Sequence, residues 1–226
     1  MSRQLALLRP EPGWTASAAT AREAGLEVIG HPLFEAAAVA WGLPESQFDA
    51  LLIGSAAAFR HGGPQLAELG HLPVHAVGAA TAEAARAAGF EVSVVGEGGL
   101  QRVLDTIAIA PVRYLRLGGK ERVPLAPLPG QTIEERAVYR MRPLPLAPDF
   151  ATQLSTGQPI VALHSAAAAR QFAAEIDRLG LSRGQLFLLA LGPRIAKAAG
   201  LGWAALHIAD SPDDAALLAK AAALCK

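Results

Sequence analysis

The sequence repeats one short pattern at a distance of 110 residues. LLIGSAAAFR spans residues 51–60 and VALHSAAAAR spans residues 161–170. Each copy is an apolar run followed by a serine, an alanine-rich stretch and an arginine, and Ser55 and Ser165 are 110 positions apart. A short apolar run followed by strong helix formers predicts a buried strand that leads into a helix. A period of this length predicts two similar domains rather than a solenoid of short repeats.

Apolar runs alternate with helical patterns along both halves of the chain. In the first half, strands are predicted at 5–9, 26–31, 50–53, 73–77 and 90–95, with helical patterns between most of them. The second half repeats this order. Strand, helix and strand in succession form the βαβ unit of a parallel sheet that is covered by helices. The predicted fold class is therefore α/β, with two similar, duplicated parallel-sheet domains.

Two extended segments are the natural connectors between these domains. They are PLFEAAAVA in the first half and RMRPLPLAP in the second, where three prolines disfavour a helix. If the chain crosses between domains at both, one domain is continuous over 36–142 and the other combines 1–35 with 143–226. The alternative is two tandem domains that divide near Pro111. The spacing of the repeated elements is compatible with both layouts.

Composition argues against several classes of partner. Hydrophobic residues make up 52% of the 226 residues and charged residues 18%, and the formal net charge is zero. Neither disorder nor binding to nucleic acid or a membrane is therefore expected. The single cysteine, Cys225, precludes an intrachain disulfide and favours a reducing, cytoplasmic compartment. The N-terminal residues are not expected to form a signal peptide. No uninterrupted apolar segment is close to the length of about 18 residues that a membrane span needs.

Ligands of open α/β sheets bind beyond the carboxyl ends of the strands, where helices begin. Ser55 and Ser165 each follow a predicted strand and precede a helix, so each is predicted to be an N-cap. A helix start that faces a ligand can also offer its free N–H groups to an anion, and the sequence leaves both roles open. Further candidates at strand ends are Arg9, Gly78, Thr81, Arg116, Gly118, Lys120, Tyr139, Arg140, Gly192 and Arg194.

The basic residues among these candidates indicate an anionic ligand. Arg9, Arg116 and Arg140 fall at or near strand ends, and a guanidinium group can bind a carboxylate through two hydrogen bonds. A solvated surface position is the alternative for each. LGGKER at 117–122 predicts either a turn into a helix or an anion site, and it lacks the frame of a nucleoside triphosphate loop. The six histidines show no metal-ligand spacing, so no metal site is predicted.

Taken in order, these motifs resemble those of the uroporphyrinogen-III synthase family. They are a strand that ends at Arg9–Pro10, D-A-L-L-I-x-S at 49–55, P-V-x-A-V-G-x-x-T-A at 73–82, L-R-x-G at 115–118, V-Y-R at 138–140 and L-G-P at 191–193. The resemblance covers nearly the whole chain. The family usually has threonine before each of the two serines, where this sequence has Gly54 and His164.

The resemblance implies a fold and a reaction. Members of the family have two α/β domains joined by a two-stranded connector, with the active site in the cleft between them, which favours the crossed layout. They cyclise a linear hydroxymethyl-tetrapyrrole with loss of water and inversion of the fourth ring, and form uroporphyrinogen III without a metal or organic cofactor. The expected substrate is an octacarboxylate, and a transient contact with the preceding enzyme of the pathway is a further expected interaction.

The resemblance also implies roles for individual residues. Tyr139 matches a tyrosine thought to assist departure of the hydroxyl group, and Thr81 matches a threonine of the cleft, so both are expected to be catalytic. The other candidates named above are expected to bind the substrate. Two further interpretations stay open on the residues alone. One is a two-domain protein that binds a polycarboxylate without catalysis, and the other is an unrelated α/β transferase, against which the missing phosphate-loop motif counts.

Overall fold

The computed structural model describes residues 3–107 and 111–225. The chain divides into two compact units. The discontinuous unit consists of Met1–Glu35 and Pro143–Lys226, and the continuous unit is Ala36–Arg142. Among the described helices, none combines the length and the apolar character needed to cross a membrane.

Strands and helices alternate through the described residues. In chain order the strands are β1 (Leu5–Leu7), β2 (Val28–Gly30), β3 (Phe34–Ala38), β4 (Ala50–Ile53), β5 (Val74–Val77), β6 (Val92–Gly96), β7 (Val112–Gly119), β8 (Gln131–Pro143), β9 (Ile160–Leu163), β10 (Phe187–Ala190) and β11 (Ala205–Ile208). The α-helices are α1 (Gly13–Glu23), α2 (Ala57–His61), α3 (Ala79–Ala87), α4 (Leu100–Thr106), α5 (Pro148–Gly157), α6 (Ala166–Arg178), α7 (Pro193–Ala199) and α8 (Asp214–Leu224). Short 3₁₀ helices span Pro64–Leu69 and Arg183–Gln185.

The sheet of the discontinuous unit has the strand order β11-β10-β9-β1-β2, and all adjacent pairs among these described strands are parallel. Helices cover both faces. Phe172 of α6 and Leu154 of α5 belong to the core on one face, while Leu217 of α8 and Ala21 of α1 belong to the core on the other. Because both faces are covered, β1 and β9 are buried along their whole length, which explains their unbroken apolar sequences.

The sheet of the continuous unit has the order β3-β8-β7-β4-β5-β6. From β8 to β6 each strand is parallel to its neighbour, and β3 lies at the edge beside β8. The chain passes between the two units within β3, after Glu35, and at the end of β8, after Arg142. The prediction of two α/β units is confirmed, with a parallel sheet in the discontinuous unit and a mixed, mainly parallel sheet in the continuous unit.

The repeated pattern forms the same corner in each unit, but the two helices that follow differ in length. β4 and β9 are both buried throughout. α6 runs for 13 residues and begins directly after Ser165, whereas α2 has only 5 residues and begins two positions after Ser55. The cause lies in the next residues, since Gly63 has φ +72° and Pro64 then starts a 3₁₀ helix.

Two local predictions are wrong. The segment 140–148 was expected to be extended throughout, but Pro148 is the first residue of α5, a position where a missing backbone N–H costs no hydrogen bond. The turn into a helix proposed as one outcome for LGGKER does not occur. β7 instead continues through Gly119, and residues 121–128 have no regular structure before β8 begins.

His75 on β5 predicts a pH dependence of stability. Burial lowers the pKa of His75, and its ring lies against the buried Tyr114 with 5.4 Å between ring centroids. The unfolded chain therefore binds a proton more readily than the folded one, so stability is fully present above about pH 6.5 and is lost as pH falls below it. We expect His75→Leu to reduce this loss between pH 7 and pH 5, by at most about 1.4 kcal/mol per pH unit, in chemical denaturation. Equal slopes for wild type and variant would contradict the assignment.

Candidate functional site

A cavity of about 560 Å³ lies in the continuous unit and contains four of the predicted site residues. They are Ser55, Arg116, Gly118 and Tyr139. The cavity lies where β4 and β7 end, and its remaining walls come from the start of α4 and from residues 121–125. A concave pocket of the size that small-molecule sites have therefore lies at the ends of β4 and β7 in this unit.

The two serines of the repeated pattern differ in their contacts. Ser165 is the N-cap of α6, as predicted, and its Oγ accepts a hydrogen bond from the backbone N–H of Ala168 at 3.0 Å. Ser55 is not the N-cap of α2, because Ala56 occupies that position. The Oγ of Ser55 instead accepts a long hydrogen bond, 3.3 Å, from the N–H of Ala57. Only Ser165 therefore matches the predicted local role.

Tyr139 presents its phenol group to the cavity from β8. The side chain is half-buried, and its ring lies directly over Gly119. A Cβ atom at Gly119 would lie 3.0 Å from the Cε2 of Tyr139 and 3.3 Å from its hydroxyl oxygen, so a side chain there would displace the ring. The ring of His61 lies 6.1 Å away between centroids. The glycine at this position thus allows the tyrosine to occupy the cavity wall.

Arg116 is buried beside the cavity and is already paired. Its guanidinium donates to a carboxylate oxygen of Glu135 at 2.7 Å and to the carbonyl oxygen of Val123 at 2.9 Å. Arg122 donates to the other oxygen of Glu135 at 2.7 Å and to the carbonyl oxygen of Gly119 at 2.8 Å. Burial alone would raise the pKa of Glu135, but the hydrogen bonds from Arg122 and Arg116 outweigh it and hold that pKa below its usual value.

Arg122 and Glu135 were not among the residues predicted for the site. The register of β7 and β8 would have identified Glu135, because it places this residue directly opposite Arg116. Both strands were predicted, but their register was not. Arg122 lies in the irregular segment after β7. The same segment is also held by Gln101, whose side-chain amide forms two 2.9 Å hydrogen bonds with the backbone of Ala126.

Other predicted residues of the continuous unit lie outside the cavity wall. Thr81 is in the first turn of α3 and is only 5% exposed, and no hydrogen bond to its hydroxyl is found among the described residues. Gly78 precedes α3 with φ +77°, a conformation that favours glycine. Lys120 and Arg140 are exposed, and the N–H of Lys120 donates to the carbonyl oxygen of Tyr139 at 2.8 Å.

The predicted residues of the discontinuous unit follow three neighbouring strands. Arg9 follows β1, Ser165 follows β9, and Gly192 and Arg194 follow β10. Gly192 is extended and precedes α7, on which Arg194 is exposed. Because carboxyl ends of adjacent parallel strands share one edge of the sheet, these residues lie on one side of this unit.

Arg9 is held by a polar network that also includes Ser17, His164 and Asp214. Nη1 of Arg9 donates to the Oγ of Ser17 at 2.7 Å and lies 3.3 Å from a carboxylate oxygen of Asp214. Burial and the charge of Arg9 lower the pKa of His164, and the hydrogen bond to Asp214 opposes this only in part. Burial would raise the pKa of Asp214, but hydrogen bonds from Ser17 and His164 bring it below its usual value.

Comparison with known proteins identifies the family. A family model described as uroporphyrinogen-III synthase HemD matches residues 15–219. The chain belongs to the uroporphyrinogen-III synthase family. This membership confirms the resemblance drawn from the ordered motifs, and with it the predicted function in tetrapyrrole biosynthesis. No curated protein sequence matches the chain significantly.

The chain is also similar to solved structures of uroporphyrinogen-III synthases. The chain is similar to the enzyme of Helicobacter pylori, with 18% identity over 98% of this chain and 99% of that one and a TM-score of 0.63. It is also similar to a mutant enzyme of Thermus thermophilus, with 20% identity over 99% of this chain and 100% of that one and a TM-score of 0.47. The first of these likenesses shows the uroporphyrinogen-III synthase fold.

In this member of the uroporphyrinogen-III synthase family, the candidate residues form two groups, one in each unit. The group of the continuous unit surrounds the cavity that contains Tyr139. The group of the discontinuous unit contains Arg9 and Ser165 at the ends of adjacent strands. Among the described residues, no set of three or more His, Cys, Asp or Glu side chains is arranged to hold a metal ion.

Proposed function

We propose that the protein is a cyclising lyase that converts the linear hydroxymethyl-tetrapyrrole into uroporphyrinogen III. The observation that carries the proposal is the position of Tyr139, which lines a cavity at strand ends together with Ser55 and Gly118 in a chain of this family. The two crossings of the chain, after Glu35 and after Arg142, support the crossed layout of domains 1–35 plus 143–226 and 36–142.

Tyr139 is proposed to assist the departure of water. The C–O bond of the hydroxymethyl group breaks with its electron pair on oxygen, while the nitrogen lone pair of the same pyrrole forms the azafulvene. The pyrrole N–H gives up its proton, so that the departing hydroxide leaves as water. The phenol O–H of Tyr139 is proposed to donate a hydrogen bond to the departing oxygen. The fourth ring then closes through its substituted carbon, and the main task of the protein is to hold the chain in the geometry that favours this carbon.

The substrate's carboxylates are proposed to be bound by residues of both units. Three exposed cations are candidates: Lys120 directly after β7, Arg140 within β8 and Arg194 in the first turn of α7. Ser165 marks the start of a 13-residue helix whose N–H groups favour an anion. Arg9 and Arg116 are already paired with the acidic side chains of Asp214 and Glu135. The acidic side chain of each pair therefore determines the direction in which the guanidinium group can face a ligand. The roles of Gly78, Thr81 and Gly192 stay predictions from the family pattern.

The reaction and the surroundings complete the proposal. Loss of water and ring closure involve no net oxidation, so we propose that no redox cofactor is needed. Because the linear substrate cyclises spontaneously to the type I isomer, a transient contact with the preceding enzyme would shorten its exposure to water. We place the protein in the cytoplasm, consistent with its single, buried cysteine.

The isomer of the product tests the proposed function. Purified protein supplied with the linear tetrapyrrole is expected to give mainly the type III isomer, because only a bound chain closes at the substituted carbon. Chromatographic separation of the two isomers after oxidation measures the ratio. Heat-denatured protein serves as the control and is expected to give type I. Type I alone from the native protein would contradict the proposal and favour a binding protein without catalysis.

A further inference from the structure

Asp214 joins three polar side chains at the carboxyl edge of the discontinuous unit's sheet. Its Oδ1 accepts a hydrogen bond from Nε2 of His164 at 2.9 Å, and its Oδ2 accepts one from the hydroxyl of Ser17 at 2.5 Å. Arg9 contacts both Ser17 and Asp214. The four side chains come from the ends of β1 and β9 and from α1 and α8, so a single carboxylate links four separate parts of the unit.

Asp214 is not needed to cap its own helix. The cap of α8 is Asp213, whose side chain accepts a hydrogen bond from the N–H of Ala216 at 2.8 Å. Asp214 is the first residue of the helix, where a carboxylate is favoured by the helix dipole. Its charge is therefore free to act on Arg9, which is itself a predicted binding residue, and on His164, which directly precedes the predicted binding residue Ser165.

Arg9 requires a counter-charge where it lies. Its guanidinium packs on Gly13, where an added Cβ would lie only 2.4 Å from Nε of Arg9. Gly13 is the first residue of α1, so a cation there is at the end of the helix that disfavours positive charge. The carboxylate of Asp214, 3.3 Å away, offsets this and fixes the direction of the guanidinium.

The orientation of the His164 ring also depends on Asp214. A carboxylate only accepts hydrogen bonds, so the proton of the neutral imidazole is on Nε2, and Nδ1 carries the lone pair. Nδ1 is buried and has no hydrogen-bond partner among the described residues. Asp214 is thus the group that orients this ring, and His164 directly precedes Ser165, the N-cap of α6.

We propose that Asp214 is a positioning residue for the candidate binding residues of the discontinuous unit. It holds the guanidinium of Arg9 and the imidazole of His164 in one orientation beside the N-terminus of α6, so that Arg9 and the free N–H groups of that helix are arranged for a substrate carboxylate before it binds. The assignment rests on the proposed function for its effect on the substrate, but its effect on His164 is independent of catalysis.

The test compares Asp214→Asn and Asp214→Ala with Asp210→Asn in the full-length protein. Asp210 is the matched control, since it also pairs with a cation, Lys220 at 3.0 Å, but is largely exposed and contacts neither Arg9 nor His164. We expect both Asp214 variants to raise KM for the linear tetrapyrrole by about tenfold while kcat changes little, which is the loss of one charge-assisted contact. Asp210→Asn should leave both constants unchanged.

Nitrogen NMR of the imidazole provides a second readout that needs no activity. Wild type and Asp210→Asn should show His164 with its proton on Nε2, and Asp214→Ala should show a mixture of the two tautomers. Asp214→Glu, which keeps the carboxylate, should restore part of the Nε2 form and of the KM. An unchanged His164 signal, or a lower melting temperature with an unchanged KM, would overturn the assignment. If wild type forms no type III isomer, the proposed function fails, and the NMR comparison still decides the role of Asp214.

Discussion

Replacing Tyr139 with phenylalanine is expected to lower the rate of type III isomer formation by about two to four orders of magnitude. The substitution removes only the hydroxyl that is proposed to donate to the departing oxygen. The ring itself packs over Gly119, and phenylalanine retains that contact. The fold should therefore be unchanged, as judged by circular dichroism and melting temperature, while kcat in the isomer assay falls.

The other tyrosine of the chain is a matched control for this experiment. Tyr114 lies on the neighbouring strand β7, is fully buried, and its hydroxyl has no hydrogen-bond partner among the described residues. Tyr114→Phe removes the same atom and should leave kcat unchanged. A wild-type rate for Tyr139→Phe would remove Tyr139 from the mechanism without affecting the assignment of the chain to its family. Equal losses in both variants would indicate a general effect on the structure.

The sequence was most informative where burial is complete. Strand β4 begins and ends where its apolar run does, at Ala50 and Ile53, because a strand covered on both faces must be apolar at every position. Predictions were least accurate where a helix is short. The length of α2 depends on the glycines and the proline that follow His61, and these override the helix propensity of the alanines before them.

The candidate site was predicted at its strand ends but not in its side-chain pairs. Ser55, Arg116 and Tyr139 were predicted to lie just beyond the carboxyl ends of strands. All three line the cavity, but only Ser55 follows its strand, because β7 and β8 continue past Arg116 and Tyr139. The acidic partners of Arg9 and Arg116 were missed because both pairs depend on contacts between residues that are distant in sequence. Asp214 lies 197 positions from Ser17, and Glu135 meets Arg116 only through the register of two strands. No pattern of residue types along the sequence specifies either contact.

Replacing Glu135 with alanine is expected to destabilise the protein by about 2–4 kcal/mol, toward the lower part of the range for breaking a buried ion pair. The reason is the partner that remains, because Arg116 is only 7% exposed and would keep its charge with no counter-ion. Glu135 itself is 33% exposed, so water can replace part of its contact with Arg122, which limits the loss. Chemical denaturation of wild type and variant measures the difference in the free energy of unfolding.

The preceding residue provides the control. Glu134 also accepts a short hydrogen bond from an arginine, Arg136 at 2.6 Å, but both of these side chains are about one-third exposed. Neighbouring residues of a strand point to opposite faces, so the two carboxylates are matched in sequence and differ in the burial of their partners. Glu134→Ala should cost about 0–1 kcal/mol. If the two variants lose the same free energy, the charge of Arg116 is not what Glu135 compensates. If only Glu135→Ala is destabilised, and its remaining folded fraction also loses activity, this ion pair both stabilises the sheet and shapes the wall of the cavity.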